Sequence, residues 1–201
     1  LRVMQMIYQM PDTALNPRQR VSRIIGRPLQ FYYGIHGKES DKRVLELLDM
    51  IELTPKYKDR FPGELSGGEK QRVCIARALA AKPDLIICDE VTSALDQLVA
   101  EEILKLLRKL QSDLQVSYLF ITHDLATVKA IADEIVVMLQ GRIVEQGRKI
   151  DILTPPHHES TVLLLVSVPE MDPDWLDNVL AERERKAAMG IEVKTTFIDE
   201  S

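Results

Sequence analysis

The chain has 201 residues, 45% of them hydrophobic and 28% charged, enough to bury one sizeable core with a smaller appendage, which excludes disordered and fibrous classes. Lysine and arginine number 26 against 31 aspartates and glutamates, a net charge of -5 that excludes a broad basic nucleic-acid surface and suits a cytosolic protein. The longest apolar stretch, Val162 to Val168 interrupted by Ser167, falls far short of the roughly 20 residues that span a bilayer, so any membrane work is expected to go through a partner.

Along the chain, short apolar runs at residues 3–8, Leu85 to Cys88, Tyr118 to Ile121 and Ile135 to Leu139 read as buried strands. Residue 1 opens directly into strand-like sequence with no charged leader, so the chain reads as starting in mid-domain. From about Asn16 to Glu64 the pattern is helical instead, with Val44, Leu47, Leu48 and Ile51 in step after a possible Ser40 cap, which predicts a helical insertion. After Asp96, the residues Val99, Ile103, Leu106, Leu107 and Leu110 recur at intervals of three and four with charges opposite, the pattern of an amphipathic helix on a sheet. Gly141 and Gly147 bracket Arg142 to Gln146, which with the preceding strand reads as a hairpin. Pro155-Pro156 then breaks the chain, a last helix is predicted from Asp172-Pro173 through Trp175 and Leu180, and a solvated tail follows Glu182. Alternating strands and helices predict an α/β domain with a mainly parallel sheet, whose ligands sit at the strand C-terminal ends. Cys74 and Cys88 lie in apolar sequence without a C-x-x-C spacing and read as buried thiols.

Two motifs could carry chemistry. The strand Leu85-Ile86-Ile87-Cys88 runs into Asp89-Glu90, which could hold the Mg²⁺ shell of a nucleotide and polarise a water, although strand-end acids often only cap the next helix. Glu64-Leu65-Ser66-Gly67-Gly68-Glu69-Lys70-Gln71-Arg72 offers a hydroxyl and unobstructed N–H groups at a helix start to an anion; the plainer alternative is a capped helix after a flexible turn.

The run Leu65-Ser66-Gly67-Gly68 followed by Gln71-Arg72 resembles the LSGGQ signature of ABC ATPases, and the family's other landmarks follow in order. Gln9 resembles the Q-loop glutamine, Asp89-Glu90 the end of Walker B, Ser93-Ala94-Leu95-Asp96 the D-loop and Ile121-Thr122-His123-Asp124 the switch-histidine segment. The resemblance covers residues 1 to about 169. It implies a P-loop NTPase-like α/β core in residues 1–155, with a helical subdomain inserted at about 16–80 and a C-terminal extension of the peptide-importer type at 156–201. It further implies ATP and Mg²⁺ as cofactors. Glu90 would then sit beside the attacking water, His123 near the γ-phosphate, Asp89 and Gln9 toward the nucleotide-borne metal, and Ser66, Gly67, Gly68, Glu69 and Asp96 at the nucleotide held by a second ABC domain. Partners implied are that second domain, membrane permease subunits and, indirectly, an extracytoplasmic solute-binding protein, with the chain peripheral on the cytoplasmic face and no nucleic acid bound.

A narrower resemblance lies in Tyr8-Gln9-Met10-Pro11-Asp12-Thr13-Ala14-Leu15-Asn16-Pro17-Arg18, which is similar to the FQDPxxSLNPR stretch of the peptide and nickel importer branch, with Met10 and Ala14 as departures. Pro156-His157-His158-Glu159-Ser160-Thr161 and the following Leu164-Leu165 to Val168-Pro169 resemble that branch's PxHPYT...LL...VP segment; adjacent histidines alone make a poor metal cage. Glu69 replaces the signature's glutamine and Val91 the proline usual after Walker B.

No G-x-x-x-x-G-K-[ST] loop, the Walker A element that cradles phosphates, occurs in the 201 residues. Gly37-Lys38 fails the pattern, since Glu39 follows it and Tyr32 stands at the first glycine position; it reads as an exposed turn before a helix at Asp41. The expectation is that the chain is the C-terminal part of a longer subunit, even half of a double ATPase, and that alone it binds ATP poorly and does not turn it over. The competing expectation is a catalytically incomplete domain that donates only its signature motif to a partner.

Overall fold

The computed structural model describes residues 2–154 and Thr161. Three parallel strands, β1 (Met4–Ile7), β2 (Leu85–Asp89) and β3 (Ser117–Ile121), pair in the order β1-β2-β3, as the alternating pattern predicted. The register sets Ile7 beside Cys88 and Phe120, and Gln5 beside Ile86 and Tyr118, on one face. That face is packed: Ile7, Ile86 and Cys88 are fully buried. Because side chains alternate along a strand, Met6, Ile87, Asp89, Leu119 and Ile121 lie on the other face, where Leu119 and Ile121 are about half exposed (51% and 49%).

Between β1 and β2 the chain is helical throughout: α1 (Pro11–Ala14), α2 (Val21–Tyr33), α3 (Gly37–Met50), 3-10 turns at Pro55–Asp59 and Pro62–Glu64, and α4 (Gly67–Leu79). The helical periodicity read in this segment is matched, with two corrections at its middle. Helix α3 starts at Gly37 with His36 in the cap position, so Gly37-Lys38 is the first turn of a helix and not a turn before one. Ser40 is therefore inside the helix, where its hydroxyl lies against Gly26 of α2, 3.1 Å from where a Cβ there would stand. Helix α3 thus begins one turn before the residue read as its cap, and it packs on α2. Gly34 ends α2 in the left-handed region at φ 65°, a conformation that a residue with a Cβ enters only at a cost.

Helix α5 (Gln97–Leu114) buries Ile103, Leu104, Leu106, Leu107 and Leu110, the predicted apolar stripe with Leu104 added and with Val99 only half-buried. Each such side chain contributes about 1.5–3 kcal/mol on leaving water. Asp96 caps its first turn and Gln115 closes it at φ 54°. Helix α4 packs on β1 and α5, and α6 (Leu125–Ile131) follows β3.

A second compact unit begins at Glu134. Its strands β4 (Glu134–Leu139) and β5 (Arg142–Arg148) form the predicted antiparallel hairpin across Gln140 and Gly141, both at positive φ, with a register shift at Val137/Met138. Helix α7 (Lys149–Ile152) follows, and the Thr161 hydroxyl donates to Glu145. Pro155-Pro156, His157-His158 and the helix predicted from Asp172 lie outside the described residues. Among the described residues no helix is long and apolar enough to cross a membrane.

Both cysteines are buried, as predicted. Burial pushes the Cys74 thiol up to about 11 and the Cys88 thiol to about 12. Only the thiolate attacks an alkylating reagent, so at pH 8 the native chain is expected to label with iodoacetamide at least ~100-fold more slowly than the guanidinium-unfolded chain. Equal labelling rates in the two states would refute the packing described here.

Candidate functional site

The C-terminal ends of three parallel strands, the position where α/β folds bind ligands, join three of the four residues expected at one phosphate, Gln9, Glu90 and His123, while the Asp89 side chain is not hydrogen-bonded to them. Gln9, two residues beyond β1, donates from Nε2 to Glu90 Oε2 at 2.6 Å and to Ser93 Oγ at 3.3 Å. The Ser93 hydroxyl donates to the Glu90 carbonyl at 3.0 Å, which leaves it an acceptor toward Gln9. His123, two residues beyond β3, meets Glu90 Oε1 through Nδ1 at 2.9 Å. An ionised carboxylate only accepts, so its partner assigns the proton to Nδ1 and leaves Nε2 as the acceptor of the neutral ring. Glu90 is thus held from both sides, and each of its oxygens keeps a further lone pair for water.

The backbone of Glu90 is itself unusual. Its φ is +47°, and its N–H donates to the Ile121 carbonyl at 2.9 Å, so the carboxylate leaves the sheet from a left-handed residue tied to the next strand. A non-glycine residue there costs of order 1 kcal/mol, a cost the surrounding hydrogen bonds must offset. The His123 side chain is 73% exposed, against 26% for Glu90, so the cluster opens to solvent. Asp89 ends β2 half-buried on the opposite face from Cys88.

The signature segment is built as a helix start. Ser66 caps α4, its hydroxyl accepting from the Glu69 N–H at 3.3 Å while the Glu69 carboxylate accepts from the Ser66 N–H at 2.8 Å. The Tyr57 hydroxyl also donates to Glu69. Burial would push the Glu69 carboxyl up, but the bonds from Tyr57 and Ser66 outweigh it and hold it below the usual carboxylate value. The Glu69 side chain is therefore engaged within the chain. So is that of Asp96, which accepts from the Val99 N–H at 3.0 Å. Gly67 and Gly68 lie against the D-loop helix: a Cβ on Gly68 would stand 2.6 Å from Val99 Cγ1, and one on Gly67 3.3 Å from Leu95 Cδ2. Sequence reading missed Ser93 as a partner of Gln9, although it lies in the D-loop motif, and missed Tyr57 and Val99, for which no local signal exists.

The donor set bears on what could be bound. Among the described residues no group of three or more His, Cys, Asp or Glu side chains is placed to hold a metal ion. Mg²⁺ is commonly held by one or two carboxylates together with phosphate oxygens, so Asp89 and Glu90 fit a cation that arrives on a nucleotide and not one bound by protein alone.

A parallel α/β sheet with a helical insertion, a capped glycine-rich helix start and a Gln-Glu-His cluster at the strand ends defines an ATP-binding cassette. The family model for ABC transporter matches residues 2–93, and the fold is that of an ABC ATPase core. It is 41% identical over 170 residues to the dipeptide transport ATP-binding protein DppF of Escherichia coli K12, covering 85% of this chain and 51% of that protein. It is 44% identical over 172 residues to the glutathione import ATP-binding protein GsiA of Escherichia coli O6:H1, covering 86% of this chain and 28% of that protein. The chain thus spans about half the length, or less, of such curated relatives. Among solved structures it is similar to the ATP-binding cassette MJ0796 in a dimeric post-hydrolysis state bound to ADP and Pi, at 33% identity and a TM-score of 0.62, covering 73% of this chain and 64% of that one.

Proposed function

We propose that this chain is part of the ATP-hydrolysing subunit of an importer of peptides or similar solutes. The hydrogen-bonded cluster Gln9–Glu90–His123 carries the reading, since it couples a carboxylate, an imidazole and an amide at the strand ends. Glu90 is the group that takes a proton from water: its side chain is partly exposed, and donors at both oxygens fix its orientation. His123 keeps Nε2 as an acceptor in the neutral ring and becomes a double donor when protonated, so it suits the terminal phosphate. Gln9 ties Glu90 to the start of the helical insertion, whose α1 is held to α4 by the Asp12–Lys70 ion pair at 2.6 Å and by Arg77 donating to the Ala14 carbonyl. ATP with Mg²⁺ would supply the phosphoryl group and the charge neutralisation. Asp89 would face the metal, and Ser66, Gly67 and Gly68 the nucleotide of a second cassette, with Asp96 across the same interface.

No phosphate-cradling loop occurs in the sequence, and Leu119 and Ile121 leave an apolar sheet face open. The reading therefore needs the remaining length of the relatives' domain to complete the nucleotide site. Its other partners would be permease subunits, met on the cytoplasmic face of the membrane, and, indirectly through them, an extracytoplasmic solute-binding protein.

The test is reconstitution of a subunit of the relatives' length, containing this chain, with its permease in proteoliposomes. ATP-dependent uptake of a labelled dipeptide or oligopeptide is expected. Hydrolysis with uptake of only a non-peptide solute would overturn the solute class, and absence of hydrolysis would overturn the function.

A further inference from the structure

Behind the exposed pair of Glu90 and His123 lies a second, buried connection between the same two loops. Asp124 caps α6: its Oδ1 accepts from the Ala126 N–H and its Oδ2 from the Thr127 N–H, both at 3.0 Å, and Oδ2 also accepts the Thr127 hydroxyl at 2.6 Å. On its other side the Asp124 N–H donates to the Thr122 hydroxyl at 3.0 Å, so both residues flanking His123 are pinned. Burial would raise the Asp124 carboxyl, but the Thr127 hydroxyl and the two backbone N–H groups bring it below its usual value, and it is ionised at neutral pH. An ionised carboxylate cannot donate, so the Thr127 proton is committed to it. The Thr127 oxygen lies 3.4 Å from the Thr92 hydroxyl, and with its own proton committed it can only accept. Proton direction therefore runs Thr92 to Thr127 to Asp124. Thr92 and Thr127 are 8% and 3% exposed, two residues beyond Glu90 and four beyond His123.

We propose that Thr127 is a positioning residue for catalysis, its hydroxyl joining Asp124 to Thr92 so that the loop carrying His123 is locked against the loop carrying Glu90. The physical need is plain. The His123 ring is largely exposed, and a single hydrogen bond in water holds an exposed side chain weakly, whereas a shielded link between the two loops restrains the backbone beneath it. Ladder bonding ends where the strands end, at the Glu90 N–H to Ile121 bond; Thr92 to Thr127 extends it into the loops. The kinetic arm of the test rests on the ATPase reading above, while the structural arm does not.

The experiment compares Thr127→Val, Thr127→Ser and Thr92→Val in the subunit of the relatives' length. Valine keeps the branched shape and removes the hydroxyl; serine keeps the hydroxyl. Thr127→Val, which removes both the bond to Asp124 and the one from Thr92, is expected to lower kcat for ATP at least roughly three- to ten-fold with KM unchanged. The NMR signals of the His123 imidazole should move toward those seen in Glu90→Gln. Thr127→Ser should restore both, and Thr92→Val should reproduce the loss from the other side of the link, which covers the case in which one variant fails to fold. Parental His123 signals in both valine variants would overturn the proposal, as would a serine variant as impaired as the valine one. If the parent subunit hydrolyses no ATP, the functional reading fails, and the His123 signals still decide this proposal.

Discussion

Replacing Glu90 by Gln in a subunit of the relatives' length is expected to leave nucleotide binding intact and to lower turnover by about 10²–10⁴-fold, the range set by loss of a positioned general base. Two things are lost at once. An amide has no basicity toward water, and it offers one acceptor oxygen where the carboxylate offers two. Gln9 Nε2 and His123 Nδ1 both donate to Glu90, at 2.6 and 2.9 Å, so the amide satisfies one and turns its NH₂ toward the other. The shape of the side chain and the strained backbone at φ +47° are kept, which is why binding should survive. Steady-state hydrolysis and binding of a fluorescent ATP analogue measure the two effects separately. Turnover within tenfold of the parent would remove Glu90 from the role of base.

The second large effect is expected at Gly68. An alanine there puts a methyl 2.6 Å from Val99 Cγ1, well inside contact distance. Val99 has little freedom to yield: it is β-branched, sits in the first turn of α5, and its N–H is held by Asp96. Overpacking of this kind costs about 1–3 kcal/mol, offset in part by the better helix propensity of alanine. For a chain of this size each kcal/mol lowers Tm by roughly 2–4 °C. Adding Val99→Ala should restore the melting temperature. Turnover in the double variant should stay low, because the backbone N–H groups of Gly67 and Gly68 would also have to approach a nucleotide in the partner cassette. Full recovery of both properties would mean that Gly68 serves only the packing of α4 on α5. Failure of Val99→Ala to rescue stability would refute the contact itself. At Gly67 the neighbour is the end of the flexible Leu95 side chain at 3.3 Å, and a smaller effect follows.

How much of this was legible depends on the range of the interactions involved. The strands β1 to β3, the hairpin β4-β5 and the stripe of α5 follow from periodicity, because burial on one face imposes a repeat of two or of about 3.6 on local sequence. The four residues of α1 are too few to show a helical repeat, and the start of α3 was misread because Ser40, taken as its cap, lies inside the helix against Gly26. Within the site, Gln9, Asp89, Glu90 and His123 were identifiable as separate motifs through a family resemblance. Their meeting was an expectation that the parallel register of the strands made geometrically possible.

By itself the amino-acid sequence determined the strands β1 to β3, the β4-β5 hairpin, the buried stripe of α5, the buried cysteines and the identity of the polar groups at the strand ends, since each depends on residues adjacent in the chain. Tertiary structure alone decided that Glu90 receives one hydrogen bond from a residue 81 positions away and another from one 33 positions away. It also decided that Thr92 meets Thr127, and that Gly68 must lack a side chain because Val99 occupies the space. Such contacts join loops that have no periodicity of their own, and only the pairing of neighbouring strands brings those loops within a hydrogen bond of each other.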